Sequence, residues 1–216
     1  MTDHLDHASA QEFWDARYGS SDRIWSGNPN AALVREAVGL TPGSALDLGC
    51  GEGADALWLA QQKWNVTAVD ISRKALERGA EHAVAAGVAD RIDWQWCDLA
   101  ASFPGGTFDL VSAHFLHSPV TMPREQILRS AAAAVAPGGV LLVVGHAGSP
   151  SWVTEVADHR HDLHFPTPEE VFADLDLPAG QWEVLLTDVH ESGLTGPDGQ
   201  PATRTDNTLK LRRLAQ

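Results

Sequence analysis

Ala45-Leu46-Asp47-Leu48-Gly49-Cys50-Gly51-Glu52-Gly53-Ala54-Asp55 decides the fold. The apolar run Ala45, Leu46 and Leu48 suits the end of a strand buried on both faces. Gly49, Gly51 and Gly53 then let the backbone turn sharply and let a ligand approach it closely. Ala54 and Asp55 open a helix. A glycine-rich strand-to-helix turn lies at the carboxyl end of its strand, where open α/β sheets bind ligands.

The charges select the ligand. Gly49-x-Gly51-x-x-Ala54 formally satisfies the dinucleotide fingerprint. Yet Asp47 precedes the turn, Glu52 and Asp55 lie in or just after it, and this stretch holds no Lys or Arg. A pyrophosphate would be repelled there and a small cation welcomed. S-adenosylmethionine carries both a sulfonium and an ammonium, so the local charge favours it over NAD. Asp70 stands 21 positions after Gly49 and ends the second strand. A carboxylate at that place accepts hydrogen bonds from ribose hydroxyls, and Ile71 would then pack on the adenine.

These residues identify a resemblance. Asp47 to Gly53 resembles the first motif of class I S-adenosylmethionine-dependent methyltransferases, and Val66-Thr67-Ala68-Val69-Asp70-Ile71-Ser72 resembles their second. Phe13-Trp14-Asp15-Ala16-Arg17-Tyr18 and Trp25-Ser26-Gly27-Asn28-Pro29-Asn30 are similar to the thiopurine S-methyltransferase and tellurite-resistance branch. The resemblance implies a Rossmann-like, doubly wound seven-stranded sheet in the order 3-2-1-4-5-7-6, with strand 7 antiparallel. It implies cofactor contacts from Asp47, Gly49, Cys50 and Gly51. It places Cys97-Asp98-Leu99 at the adenine, Asp98 near the exocyclic amine and Leu99 offering a backbone amide. It also sets Ala113-His114-Phe115-Leu116-His117 between cofactor and acceptor, with the His114 backbone on the methionine moiety.

Composition limits the partners. The 216 residues suit one domain, with residues 1–8 disordered, 9–43 forming an N-terminal lid and 44–216 the core. A net charge of −14, from 15 basic and 29 acidic residues, argues against nucleic acid and anionic membranes. No apolar run approaches the ~18 residues of a membrane span, and the acidic start is not a signal peptide. Two cysteines, Cys50 and Cys97, make no disulfide framework and read as small buried hydrophobes of a cytoplasmic protein. Nothing here separates a monomer from a homodimer.

Along the chain, Ser9-Ala10-Gln11-Glu12 is a capping box opening a helix through Tyr18, with Asp15 and Arg17 facing out. Helical spacing resumes over 31–38. Strands are expected at 44–48, 65–69, 92–97, 108–113 and 140–145, with helices over 54–62, 72–86 and after Pro123. Pro137-Gly138-Gly139 is expected to break that last helix. Thr167-Pro168-Glu169-Glu170 is a second capping box. Residues 182–191 and 203–213 read as an antiparallel hairpin, with a turn signal at Gly196-Pro197-Asp198-Gly199.

Candidate chemistry lies at the strand ends. His114 and His146 each offer a general base. Trp14, Tyr18 and Trp25 suit an aromatic lid that excludes water and faces a sulfonium. His159, His161 and His164 match no closed zinc spacing, so no metal is expected; His164 and Phe165 suit a loop over the acceptor. The expected reaction is methyl transfer to a small molecule, first a thiol or other soft chalcogen. The alternatives are an oxygen or nitrogen acceptor with a histidine base, or a non-catalytic S-adenosylmethionine sensor.

Overall fold

A computed structural model describes residues 9–153 and 164–215. In order, the elements are α1 (Ala10–Gly19), α2 (Ala31–Ala37), β1 (Ser44–Leu48), α3 (Ala54–Gln61), β2 (Asn65–Asp70), α4 (Arg73–Ala85) and β3 (Ile92–Trp96). Then follow β4 (Phe108–His114), α5 (Arg124–Ala133), β5 (Val135–His146), α6 (Pro168–Asp174), β6 (Trp182–Thr195) and β7 (Pro201–Arg213). The strands form one sheet in the order β3-β2-β1-β4-β5-β7-β6. Strands β1 to β5 pair in parallel, and β7 runs antiparallel between β5 and β6. The order and the direction of the seventh strand agree with the resemblance.

Alternation along the strands sends apolar side chains to two buried faces. On one, Leu46, Leu48, Val111 and Leu141 meet Ile127 and Leu128 of α5. On the other, Ala45, Val66, Leu110 and Leu142 meet Leu33 of α2 and Leu59 of α3. Each such leucine contributes about 1.5–3 kcal/mol by leaving water. Both capping boxes form: Ser9 Oγ accepts from Glu12 N at 3.3 Å, and Thr167 Oγ1 accepts from Glu170 N at 3.2 Å. Ser72 caps α4 as its position suggests.

Three expectations are corrected. Pro137-Gly138-Gly139 does not separate α5 from β5; α5 has ended at Ala133 and the three residues lie inside β5. They form an irregularity in the β4–β5 register, where Phe108 pairs with Val135 but Leu110 with Val140. A side chain at position 139 would meet the carbonyl oxygens of Ala136, Asp109 and Phe108 at 2.9–3.0 Å, so only glycine fits. The hairpin is longer than its alternation indicates, closing only at Gly196, whose N–H donates to the Gln200 carbonyl at 2.8 Å. Asp15 faces inward, accepting from Ser72 Oγ at 2.6 Å and Lys74 N at 3.3 Å. The unsatisfied amides and positive dipole end of α4 attract that carboxylate. Residues 1–8 lie outside the described residues, so the disorder expected there is untested. Among the described residues, no helix is long and apolar enough to cross a membrane.

Candidate active site

The carboxyl ends of β1, β2 and β4 meet at the glycine turn. Gly49, Gly51 and Gly53 all have positive φ, which only glycine adopts without cost. The Gly49 and Cys50 amides donate to the Val69 carbonyl at 2.9 and 3.0 Å, fixing the turn against β2. Asp70 sits beneath it: Oδ2 accepts from Gly51 N at 2.9 Å and Oδ1 from Ser72 N at 2.8 Å. Burial nevertheless pushes the Asp70 pKa up to about 6. Asp47 is buried beside it, and its Oδ2 has no hydrogen-bond partner among the described residues. Burial and the charges of Asp55 and Asp70 raise its pKa well above the carboxylate range. A buried carboxylate oxygen left unpartnered calls for a donor or cation from a ligand.

The other two acids of the turn are neutralised internally. Glu52 accepts from Arg78 Nη1 at 2.8 Å and from the Ile24 and Trp25 amides, each at 3.2 Å. Burial opposes its charge, but the Arg78 hydrogen bond and the two amides outweigh it and lower the pKa. Asp55 accepts from Asn30 N and Nδ2, both at 2.7 Å, and pairs with His114 Nδ1 at 2.8 Å. The reading of an unrelieved acidic turn is therefore corrected. Arg78 lies outside the quoted stretch, and α4 returns it to the turn. Asp47 and Asp70 alone keep the cation-favouring character.

The N-terminal segment roofs this turn. Trp14 Nε1 donates to Ser118 Oγ at 3.3 Å, and Trp25 Nε1 donates to the Tyr18 hydroxyl at 3.0 Å. A Cβ at Gly51 would lie 2.9 Å from the Tyr18 oxygen, so the glycine permits the close approach. Tyr18 is buried, and burial with the Asp70 charge raises its pKa. On the adenine side, the Ile71 carbonyl accepts from Trp96 Nε1 at 2.8 Å. Cys97 N donates to the Asp70 carbonyl at 3.0 Å. Asp98 Oδ1 accepts from Ala100 N at 3.0 Å, heading its own turn, and Leu99 packs on the core. Cys50 and Cys97 are free thiols.

The two candidate histidines differ in access. The His114 side chain is 2% exposed, and Nε2 has no partner among the described residues. His146 is 26% exposed, with Nδ1 3.0 Å from Asp206 Oδ1. Its ring stacks on Phe115, centroids 4.6 Å apart, and on His117 at 5.1 Å. Phe115 has φ +49°, a left-handed conformation in which a bulky residue is strained. Arg204 lies over the Phe115 ring at 5.3 Å and donates from Nε to Asp206 Oδ1 at 2.9 Å. Burial opposes the Asp206 charge, but these two partners and Ser192 outweigh it and lower its pKa. Burial and the Arg124, His146 and Arg204 charges push His117 down to about 4.

Sequence reading missed Asp206, Arg204 and Arg124, and it noted Asp55 without its partners Asn30 and His114. The register pairs His146 with Asp206 directly, but that adjacency follows from strand order and leaves no local signal. His159 and His161 lie outside the described residues. His164 is exposed and sits 3.3 Å from Glu170. Among the described residues no three ligand-type side chains gather to hold a metal.

Residues 45–139 match the family described as a methyltransferase domain. A 27-O-demethylrifamycin SV methyltransferase of Amycolatopsis mediterranei (strain S699) is 38% identical over 150 residues, covering 59% of this chain and 54% of its own. A ribosomal RNA small subunit methyltransferase C of Alcanivorax borkumensis is 29% identical over 123 residues, covering 55% and 37%. The chain thus spans about half or less of the length of these curated relatives. A solved structure described as "Conversion of a Disulfide Bond into a Thioacetal Group during Echinomycin Biosynthesis" superposes with a TM-score of 0.72. It is 24% identical and covers 94% of this chain and 93% of that one. Sheet order, glycine turn and family match agree on the class of fold: a seven-stranded Rossmann-like sheet of the methyltransferase kind, whose residues 45–139 match a methyltransferase domain.

Proposed function

We propose that the protein transfers a methyl group from S-adenosylmethionine to a hydroxyl oxygen of a small molecule, with His146 as general base. The observation that carries this reading is the Asp206–His146 pair, part-exposed at the carboxyl end of β5. S-adenosylmethionine, when bound, supplies an electrophilic methyl group on a sulfonium. Asp70 would receive the ribose hydroxyls and the unpartnered Asp47 oxygen the ammonium, with Ile71 and Leu99 against the adenine. Trp14, Tyr18 and Trp25 would exclude water, which strengthens every charge interaction beneath them.

Asp206 holds His146 through Nδ1, so that Nε2 presents a lone pair to the acceptor. The hydroxyl proton passes to Nε2 as the oxygen becomes the nucleophile, and Asp206 then stabilises the imidazolium. His114 is too buried to meet an acceptor. It belongs with Asp55 on the donor side, as a positioning residue. The rifamycin relative's name specifies an oxygen; the net charge of −14 argues against the nucleic-acid substrate named for the other relative. In this reading residues 1–216 are one cytoplasmic domain, monomeric or homodimeric, with 9–43 as lid and core beyond.

A thiol acceptor is the second reading, favoured by the likeness of Phe13–Tyr18 and Trp25–Asn30 to the thiopurine and tellurite-resistance branch. A thiol ionises near ~8.5 and needs a base far less than a phenol or alcohol does. The test is labelled-methyl transfer to panels of phenols, alcohols and thiols by wild type and His146→Gln. An oxygen acceptor should lose at least ~100-fold in turnover, and the limb a histidine base gives the pH profile should vanish. Donor affinity should hold. Unchanged turnover on an oxygen acceptor would remove the base role. Turnover of thiols alone would establish the second reading, and donor binding without any product would leave a sensor.

A further inference from the structure

A cation without an ionic partner among the described residues stands beside the proposed acceptor site. Arg124, in the first turn of α5, is half-buried. Burial lowers its pKa, and Asp174 and Glu125 act on it only from beyond ion-pair distance. Among the described residues its guanidinium makes one hydrogen bond, from Nε to the Leu116 carbonyl at 3.2 Å. A desolvated charge normally has a counter-charge, and this chain has acids in excess. None of those among the described residues pairs with it.

The space around it is a niche floored by Gly145. A Cβ built on Gly145 would lie 3.7 Å from both Arg124 Nη2 and His117 Nε2, and 3.2 Å from Asn207 Oδ1. Three polar groups, from α5, β7 and the loop after β4, therefore converge where the side chain is missing. Asn207 is fixed in turn, donating from Nδ2 to the Pro166 carbonyl at 2.7 Å. His117 is neutral at pH 7, its pKa near 4, and its Nε2 accepts from His146 N at 3.5 Å. Next to the niche stands the aromatic stack of Phe115, His146 and His117, with Arg204 over its outer ring. A stack of flat rings favours a flat ligand by offset stacking. Asp206, the one carboxylate in this group, is already satisfied by His146 and Arg204.

We propose that the acceptor is a flat ring compound bearing a carboxylate, received by Arg124 over Gly145 with its ring against the Phe115–His146–His117 stack. This rests on the reading that the mouth beside His146 is the acceptor side. The carboxylate takes the Nη donors of Arg124 that no described residue occupies, which suit a bidentate pair. Its hydroxyl is thereby held near His146. The niche then discriminates among acceptors by charge, independently of the methyl-transfer step.

Calorimetry on the full chain, with and without S-adenosylhomocysteine, tests this with benzoate, 2-hydroxybenzoate and 4-hydroxybenzoate against their carboxamides. Wild type should bind the acids at least ~10-fold more tightly than the amides, the lower end for hydrogen bonds to a charged group. Arg124→Gln should bring that ratio close to one. Gly145→Ala sets a methyl group 3.7 Å from Arg124 Nη2 and 3.2 Å from Asn207 Oδ1, fills the niche, and should cut acid binding alone, with an unchanged Tm showing that the fold is kept. Equal binding of acids and amides, no binding of either, or a preference that survives both substitutions overturns the proposal. A charge preference without methyl transfer to any hydroxyl would sustain the niche and defeat the proposed reaction instead.

Discussion

Donor binding should titrate with Asp70. Burial holds this carboxylate's pKa near 6 in the ligand-free protein, so it passes from mostly neutral at pH 5 to mostly ionised at pH 7. Each oxygen already accepts one backbone N–H, from Gly51 and from Ser72, and each keeps a second lone pair. Ribose hydroxyls donating to those lone pairs favour the ionised form. Binding below pH 6 must therefore release a proton, and affinity must fall as pH drops through 6. With a pKa of 6, about a tenth of the carboxylate is ionised at pH 5, so donor affinity there should be about tenfold below that at pH 7.

The same shift has a stability consequence of the opposite sign to the usual one. The Asp70 pKa lies above the ordinary value of 3.8, so between about pH 4 and 6 the folded chain binds more protons than the unfolded one. This residue's contribution to stability therefore declines as pH rises across that window, by about 3 kcal/mol at most. Asp70→Asn removes both the charge and one acceptor. It should weaken S-adenosylhomocysteine binding by about 10- to 100-fold at pH 7, from charge-assisted hydrogen bonds of about 1.5–3 kcal/mol each, and flatten the pH dependence. Calorimetry from pH 5 to 8 in buffers of different ionisation enthalpy measures affinity and released protons together. Wild-type affinity that is level from pH 5 to 7, or an Asn variant with the slope and affinity of wild type, would refute this account of Asp70.

Arg78→Ala leaves Glu52, whose side chain is 5% exposed, with only the two lid amides. It should cost about 1–3 kcal/mol, less than a fully buried pair because Arg78 keeps 21% of its side chain in water; faster tryptic cleavage after Arg23 and a lower Tm would show it, and no change in either would count against the lid contact. The depressed Glu52 pKa gives stability that is present above its ordinary 4.5 and lost as pH falls through the folded value, so Trp25 fluorescence should report lid release only in acid. Gly79→Ala gains about 1 kcal/mol of helix propensity but sets a methyl 2.6 Å from two carbons of the Trp94 ring, an overpacking cost of about 1–3 kcal/mol. A net loss of Tm is expected, and a more stable variant would show that Trp94 yields freely.

The sequence made some features legible because their causes are local. The Asp47–Asp55 stretch yielded strand, turn and helix from apolar runs and glycines, and Ser9 and Thr167 announced their helices by capping chemistry alone. Pro137-Gly138-Gly139 misled because the same residues suit a turn and a β-bulge, and pairing with β4 decides between them. Asp15 misled because the helix it serves is α4, not its own. The turn's charge balance misled for a related reason: Arg78 and His114 reach Glu52 and Asp55 only after the sheet has formed. Strand order itself came from family resemblance, since the spacing of elements leaves it open.

In the proposed reading the chain separates its donor and acceptor sites along its length. The donor-side residues from Asp47 to His114 all lie within the stretch that matches the methyltransferase domain family, 45–139. The partners that define the acceptor side, His146 and Arg204 to Asn207, lie beyond it. They meet because β7 is inserted antiparallel against β5, setting Asp206 opposite His146 and Asn207 opposite Gly145. Only Phe115, His117 and Arg124 of that side come from the matched stretch, and they follow β4, where its chain leaves the sheet. An antiparallel strand beside β5 reverses the direction of the late hairpin, so that residues near its start, 204–207, arrive at the ligand end of the sheet. The proposed donor site thus depends on the parallel half of the sheet, and the proposed acceptor chemistry on where one reversed strand places a carboxylate and an arginine.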